Sequence, residues 1–335
     1  MRKLARIEEI INIKPIENAD AIELASVKGW NVVVKKGEFK KGDKCVYFEI
    51  DSFLPVKPEF EFLRKSSYKR LGDGTEGFRL KTIRFRGQIS QGLVLPISIL
   101  GEKQNGFKLD ADVSETLRVI KYEPPVPASL TGEIKNSHPS FIPKTDEERI
   151  QNLTEYYSRW SNLSFYITEK LDGTSVTAYL NNGNFGICTR NFELKEDEKN
   201  TYWKVAKELD LMEKLSRLPF NAAIQGEIIG EGVQTNLYKL RGQEIKVFDI
   251  FNIDEGKYLS YEEFMDTSKN LELETVPVIE EDFKLPGSID ELLKYADGKS
   301  ILNPEANREG IVLRTKEGKR VSFKAISNLF LLSEK

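Results

Sequence analysis

The chain has 335 residues, 39% of them hydrophobic, and its mixed charges sum to −3. That length suggests about two domains with cores of their own, and without a global basic field any nucleic-acid partner must be held by local patches. No apolar run approaches the ~20 residues that span a bilayer, so helical membrane spans are excluded, and a single histidine, His138, excludes an HExxH zinc site.

Glu8 and Glu9 stand where a secretory leader needs an apolar stretch, so no leader is expected. Cys45 and Cys188 lie too far apart for a zinc motif or a disulfide framework. The cytoplasm, or another reducing intracellular compartment, is the simplest setting. His138 sits in the Pro/Ser-rich stretch NSHPSF and reads as a loop residue. Any chemistry then rests on Lys, Arg, Asp and Glu.

Residues 1–118 read as β-rich. Short β-branched and aromatic runs in ARIEEIINIKPIENAD, SVKGWNVVVKKGEFKKGDKCVYFEID and GFRLKTIRFRGQISQGLVLP are punctuated by Gly, Asp, Asn and Pro. That spacing suits a small closed barrel, since no long helix is available to cover an open sheet. Residues 119–143 read as a linker stiffened by Pro124, Pro125, Pro127, Pro139 and Pro143.

A second domain is expected over 144–335. Thr145 and Glu148 have capping-box spacing, and Ile150, Leu153, Tyr157 and Trp160 can share one face of the helix this would start. SFYITEK, TSVTAYL and NFGICTRNF then read as a meander with turns at Asp172-Gly173 and Asn181-Asn182-Gly183. Helical material comes next in TYWKVAKELDLMEKLSRL, and strands return at NAAIQGEIIG and EIKVFDIFNI. A helix-rich insertion, SYEEFMDTSKNLE to SIDELLKYADG, precedes REGIVLRTKEG and KRVSFKAIS. The fold class is α+β: a barrel, then a larger domain of antiparallel sheets with helices.

Within that second domain, Lys-x-Asp-Gly at Lys170 is a weak motif alone. It gains weight from an ordered series of residues farther along the chain: Arg190 in CTRNF, Glu227 in QGEIIG, Phe248 in IKVFDIF, Glu309 in REGIVLR and Lys324 in SFKAIS. Phe248 on an alternating strand would ordinarily be core. Glu227 and Lys324, flanked by apolar residues, are unusual there, because buried charges are rare unless partnered.

Taken together, Lys170-Leu-Asp-Gly, Arg190, Glu227, Phe248, Glu309-Gly-Ile-Val and Lys324 resemble the nucleotidyltransferase motifs of ATP-dependent polynucleotide ligases and mRNA capping enzymes. The nick-sealing RNA ligases with an N-terminal OB domain are most similar, on PIENADAIELASV, VYFEIDSFLPV, FRGQISQGLVLP and PKTDEERIQN. One departure is Ile326, where many ligases carry a second lysine.

The resemblance implies ATP and Mg²⁺ or Mn²⁺ as cofactors, and a lysyl-AMP formed on Lys170. A lysine with a pKa near ~10.4 is almost wholly protonated at neutral pH, so burial or a nearby cation, Lys324 or the metal, is expected to depress it. Asp172, Glu227 and Glu309 would hold the metal directly or through water. Arg149 and Arg190 would meet phosphate or ribose oxygens, Phe248 would stack on adenine, and Gly173 would let the backbone turn beside the nucleotide. The partner implied is a nicked RNA duplex or RNA/DNA hybrid. One active site per chain needs no second subunit, so a monomer is expected.

The barrel is expected to bind that duplex through residues 69–87, where Lys69, Arg70, Arg79, Lys81, Arg84 and Arg86 interleave with Phe78 and Phe85. Alternatives are a DNA ligase of the same chemistry, a non-catalytic nucleic-acid binding protein, and a guanylyltransferase of the capping type.

Overall fold

The computed structural model describes residues 2–123, 128–316 and 318–333. Pro124, Pro125 and Pro127 of the expected linker lie outside them. The chain divides into two compact units: Met1–Pro125 with Gln151–Thr154 and Leu331–Lys335, and Val126–Ile150 with Glu155–Phe330. No helix among the described residues is long and apolar enough to cross a membrane.

In the first unit, the strands are β1 (Ala5–Pro15), β2 (Ile22–Val27), β3 (Trp30–Lys35), β4 (Lys44–Phe48), β5 (Ser52–Pro55), β6 (Tyr68–Arg70), β7 (Glu76–Arg79), β8 (Thr82–Phe85), β9 (Gln88–Gln91), β10 (Leu93–Pro96) and β11 (Ile120–Lys121). They form a five-stranded sheet in the order β10-β4-β1-β2-β3, a second in the order β11-β5-β7-β6, and the β8–β9 hairpin. β3 packs back against β9 and β10, and the Val33 N–H donates to Ser90 Oγ at 3.0 Å. The result is a small barrel around Ile7, Val46, Phe48, Leu54 and Phe78. Ile120 and Lys121 pair with Phe53 and Ser52, so the stretch read as linker begins as a strand.

The second unit holds β12 (Ile134–Ser137), β13 (Phe165–Lys170), β14 (Thr174–Asn181), β15 (Asn184–Cys188), β16 (Phe192–Leu194), β17 (Ala222–Gly230), β18 (Gln243–Asn252), β19 (Lys257–Tyr258), β20 (Val278–Phe283), β21 (Gly310–Thr315) and β22 (Ser322–Ile326). Two sheets result, β12-β16-β15-β14-β17-β18-β19 and β20-β13-β21-β22. Helices Thr201–Glu208, Leu211–Ser216 and Tyr261–Asn270 cover one face of the larger sheet, burying Val205, Leu215 and Phe264 with Val176, Ile224 and Ile245.

The structure corrects two expectations. Asp172-Gly173 is not a hairpin turn: β13 and β14 belong to different sheets, and the dipeptide carries the chain from one to the other. Residues 145–160 do not form one capped helix. The Lys324 N–H donates to the Glu148 carbonyl at 2.9 Å and Arg149 bridges to Lys324, which holds this backbone extended along β22. Only short helical turns come after it, Ile150–Asn152, Thr154–Tyr157 and Ser158–Trp160. The Asn182-Gly183 turn is as expected, with both residues at positive φ between paired Asn181 and Asn184.

Candidate active site

Strand alternation decides which side chains the two sheets of the second unit present. On β17, Ile224 and Ile228 enter the helix-covered core, so Gln225 and Glu227 face the other way. Glu227 lies opposite Ser175 of β14. On β18 the register skips Phe248: Val247 pairs with Gly226 and Asp249 with Gln225. This bulge turns two consecutive residues, Phe248 and Asp249, to the same side as Glu227, because Val247 and Ile250 both remain in the core.

The smaller sheet contributes by the same rule. Thr168 pairs with Val312 and Val312 with Lys324, forming one cross-sheet row, while Lys170 pairs with Gly310 and Tyr166 with Arg314. Ile311, Leu313 and Phe323 are buried on the opposite face. A cleft of about 590 Å³, its open mouth included, is lined by Lys170, Arg190, Glu227, Phe248 and Lys324 together with Thr145, Asp146, Glu147 and Arg314.

Lys170 is the last residue of β13, and its ammonium donates to Glu309 Oε2 at 2.8 Å. Burial pulls the Lys170 pKa down, but the carboxylates of Glu309, Glu227 and Asp172 outweigh it and hold the amine above its ordinary value. The expected depression is therefore not a property of the chain alone. It occurs instead at Lys324, where burial, helped by the charges of Lys170 and Arg149, brings the amine down to about 8 against the opposing pull of Asp146. Lys324 Nζ donates to Asp146 Oδ1 at 2.9 Å. Glu227 is pushed up to about 7 by burial, with Glu309 adding to the rise and Lys170 opposing it.

The remaining expected residues surround this core. Gly173 does not adopt a left-handed turn. Its lack of a Cβ is required because that atom would sit 2.3 Å from the Ile228 carbonyl oxygen and 2.7 Å from Glu227 Cγ. The Asp172 N–H donates to the Tyr238 hydroxyl at 2.6 Å. Arg149 is buried, and its backbone runs beside β22. Arg190 is exposed in the loop after β15. Ile326 is buried opposite Gly310.

No group of three or more His, Cys, Asp or Glu side chains among the described residues is gathered to hold a metal. Asp172, Glu227 and Glu309 thus form no ready cage, and the Lys170 ammonium occupies Glu309 instead. Their hard carboxylate oxygens still fit a cation that keeps most of its waters and takes phosphate oxygens as further ligands.

Of the basic residues in 69–87, Lys69, Arg70, Arg84 and Arg86 are exposed. Arg79 is engaged within its own unit, lying 4.2 Å from the Tyr122 ring centroid and 3.8 Å from Asp51. Lys81 is half-buried, and Phe78 is fully buried in the barrel core, so it is unavailable for stacking. Phe85 is 43% exposed on the β8–β9 hairpin.

Sequence reading missed Thr145, Asp146, Glu147, Val312 and Arg314 as lining residues. For Arg314 the signal was present, since it is a charge at even spacing from Gly310 on a strand whose intervening positions, Ile311 and Leu313, are apolar.

A model described as an OB-fold domain matches residues 4–97, and one described as RNA ligase matches residues 163–326. A comparison with curated proteins finds no match. Among solved structures, Naegleria gruberi RNA ligase with PPi is 43% identical, with a TM-score of 0.94, covering 99% of this chain and 98% of that one. A mutant of that ligase with ATP and Mn is 42% identical, with a TM-score of 0.94 and 99% of each chain covered. Another, with AMP and Mn, is 43% identical with the same TM-score and coverage.

Proposed function

The chain belongs to the RNA ligase family, and from that premise we propose that it seals 3′-OH/5′-phosphate nicks in RNA-containing duplexes, using ATP and a lysyl-AMP on Lys170. The observation that carries this reading is the single cleft in which Lys170 ends a strand facing Glu227, Phe248, Arg190 and Lys324. The solved relatives with ATP and Mn, and with AMP and Mn, supply the nucleotide and metal classes.

In the first step the Lys170 ammonium loses a proton to solvent, and the free amine attacks the α-phosphorus of ATP. A P–N bond forms, and the bond to the pyrophosphate oxygen breaks. Glu309 holds the amine in line, Phe248 stacks on the adenine, and Arg190 and Lys324 meet phosphate oxygens. Asp172, Glu227 and Glu309 would hold Mg²⁺ or Mn²⁺ through its waters, supplying charge that offsets the phosphates and the carboxylates that now keep Lys170 protonated. An oxygen of the 5′-phosphate then takes the AMP from Lys170. The 3′-OH attacks that activated phosphorus, closing the strand and releasing AMP.

The nucleic acid is assigned to the first unit, over Lys69, Arg70, Arg84 and Arg86, with Arg79 and Lys81 in supporting positions. Ile120–Lys121 join a sheet of the first unit and Ile134–Ser137 one of the second, so we narrow the linker to the residues between these strands, with the nucleic-acid module before it and the catalytic domain after it. One chain supplies the whole set of residues, so the reading is of a monomer. Cys45 and Cys188, both buried as free thiols, suit a reducing intracellular compartment.

Intact mass after incubation with ATP and Mg²⁺ tests the proposal. Wild type should gain about 329 Da, one adenylyl group on a covalent nucleophile, and Lys170→Met none. A gain in the mutant would move the nucleophile elsewhere. No gain in either, with bound AMP removed beforehand, would favour a binding protein without ligase chemistry.

A further inference from the structure

The two sheets of the second unit are joined at the cleft by a buried arginine, the last residue of the REGIVLR stretch that carries Glu309. Arg314, on β21, is 2% exposed. Its Nε lies 3.2 Å from Asp249 Oδ2 on β18, in the larger sheet, and its Nη2 lies 3.5 Å from Glu147 Oε1 on the segment running along β22. Its Cζ stands 5.6 Å from the centroid of the Phe248 ring. One guanidinium therefore touches both sheets, the flanking segment and the aromatic ring.

Arg314 shares the neutralisation of buried Asp249 with Arg320, but that pairing alone does not account for the contact with the Phe248 ring. Arg320 already pairs with both oxygens of that carboxylate. Phe248 is the residue in need of support, because the bulge leaves it without a cross-strand partner on β17, so strand pairing does not set its direction. Phe248 packs against the buried cluster of Leu171, Ile229, Tyr238 and Val276, and the guanidinium of Arg314 adds a contact to the ring. A planar fork can hold two carboxylates and lie against a ring at once, whereas a lysine presents a single point of charge.

We propose that Arg314 is a positioning residue for the nucleotide: anchored by Asp249 and Glu147, it fixes the Phe248 ring in the orientation that receives the base. This rests on Phe248 as the adenine-stacking residue, and the test separates the two ideas. The half-saturating ATP concentration and the plateau rate of AMP transfer are measured for the full chain as wild type, Arg314→Lys, Arg314→Met, Phe248→Leu and the Arg314→Met/Phe248→Leu double variant.

Arg314→Met should raise the half-saturating concentration about three- to thirtyfold, the size of one desolvated cation–ring contact, and leave the plateau rate unchanged. Arg314→Lys should fall between it and wild type, and this variant carries the test if the methionine variant does not fold. The double variant should be no worse than Phe248→Leu, since Arg314 acts through the ring. Additive effects, or a lower plateau rate at unchanged half-saturation, overturn the proposal. If Phe248→Leu alone leaves half-saturation unchanged, the stacking assignment itself fails, and the role of Arg314 with it.

Discussion

Lys170 and Glu309 meet as an ion pair at 2.8 Å because the backbone places them side by side: Lys170 pairs with Gly310, the first residue of β21, and Glu309 immediately precedes it. Gly310 is required there, since a Cβ would lie 2.4 Å from the Ala325 carbonyl oxygen. The nucleophile and its partner are thus set by strand register rather than by flexible loops.

Glu309→Gln keeps the shape of this pair and removes its charge. AMP transfer to Lys170 should fall about a hundredfold or more, the loss typical of one preorganised electrostatic contact. The melting temperature should change little, because both side chains are partly exposed, at 24% and 17%. Single-turnover labelling with radioactive ATP, beside thermal unfolding, checks this. A large drop in stability with normal labelling would make the pair structural.

Lys324 yields a pH signature. Burial brings its amine down to about 8, below its ordinary value. The unfolded chain therefore binds more protons at this group between about pH 8 and 10.5, and the group's own contribution to stability rises with pH across that window. Anionic phosphates favour the ammonium, so ATP binding near pH 8.5 should take up a fraction of a proton. Calorimetry in two buffers of different ionisation heat measures the uptake. Lys324→Arg, charged throughout, should bind ATP with none of that uptake, and equal uptake in both proteins would place the titrating group elsewhere.

Gly173→Ala tests close packing beneath the site. The added carbon cannot coexist with the Ile228 carbonyl and Glu227 Cγ as they stand. The variant should lose about 1–3 kcal/mol of stability through overpacking and should displace Glu227, lowering AMP transfer as well. Chemical denaturation gives the first quantity and mass labelling the second. Wild-type values for both would mean the crossover has slack that its geometry does not suggest.

The residues with chemistry were legible because charged side chains in apolar strands stand out, and Lys170, Arg190, Glu227, Phe248 and Lys324 do line one cleft. Pairing partners were not legible. Asp-Gly suits a hairpin and equally a crossover, and nothing near Lys170 in the sequence says that β13 pairs with β20 and β21, more than a hundred residues on. The helix expected from Thr145 failed for a related reason, since local capping chemistry was outweighed by the bond from β22 to Glu148. Phe78 looked like one of two interleaved aromatics, yet strand alternation buries it while Phe85 stays out. The pairing of Arg314 with Asp249 escaped notice because a bulge cannot be read from alternation that it interrupts.

The basic residues of the first unit separate into two kinds, and this gives the final prediction. Arg84 and Arg86 are exposed on the β8–β9 hairpin, where residues 77–92 carry no acidic side chain. Arg79, by contrast, is spent on Tyr122 and Asp51. Replacing Arg84 and Arg86 together by serine should weaken binding of a nicked duplex while leaving AMP transfer to Lys170 at the wild-type rate. If each arginine meets one phosphate, the slope of log affinity against log salt should become shallower by about two, near 0.9 for each contact on a duplex. Arg79→Ser should lower stability and leave that slope nearly unchanged. Binding measured over a salt series with Lys170→Met protein, which cannot turn over, isolates the electrostatic part. An unchanged slope in the double variant would place the phosphates on another face, with Lys69 and Arg70 the next pair to replace.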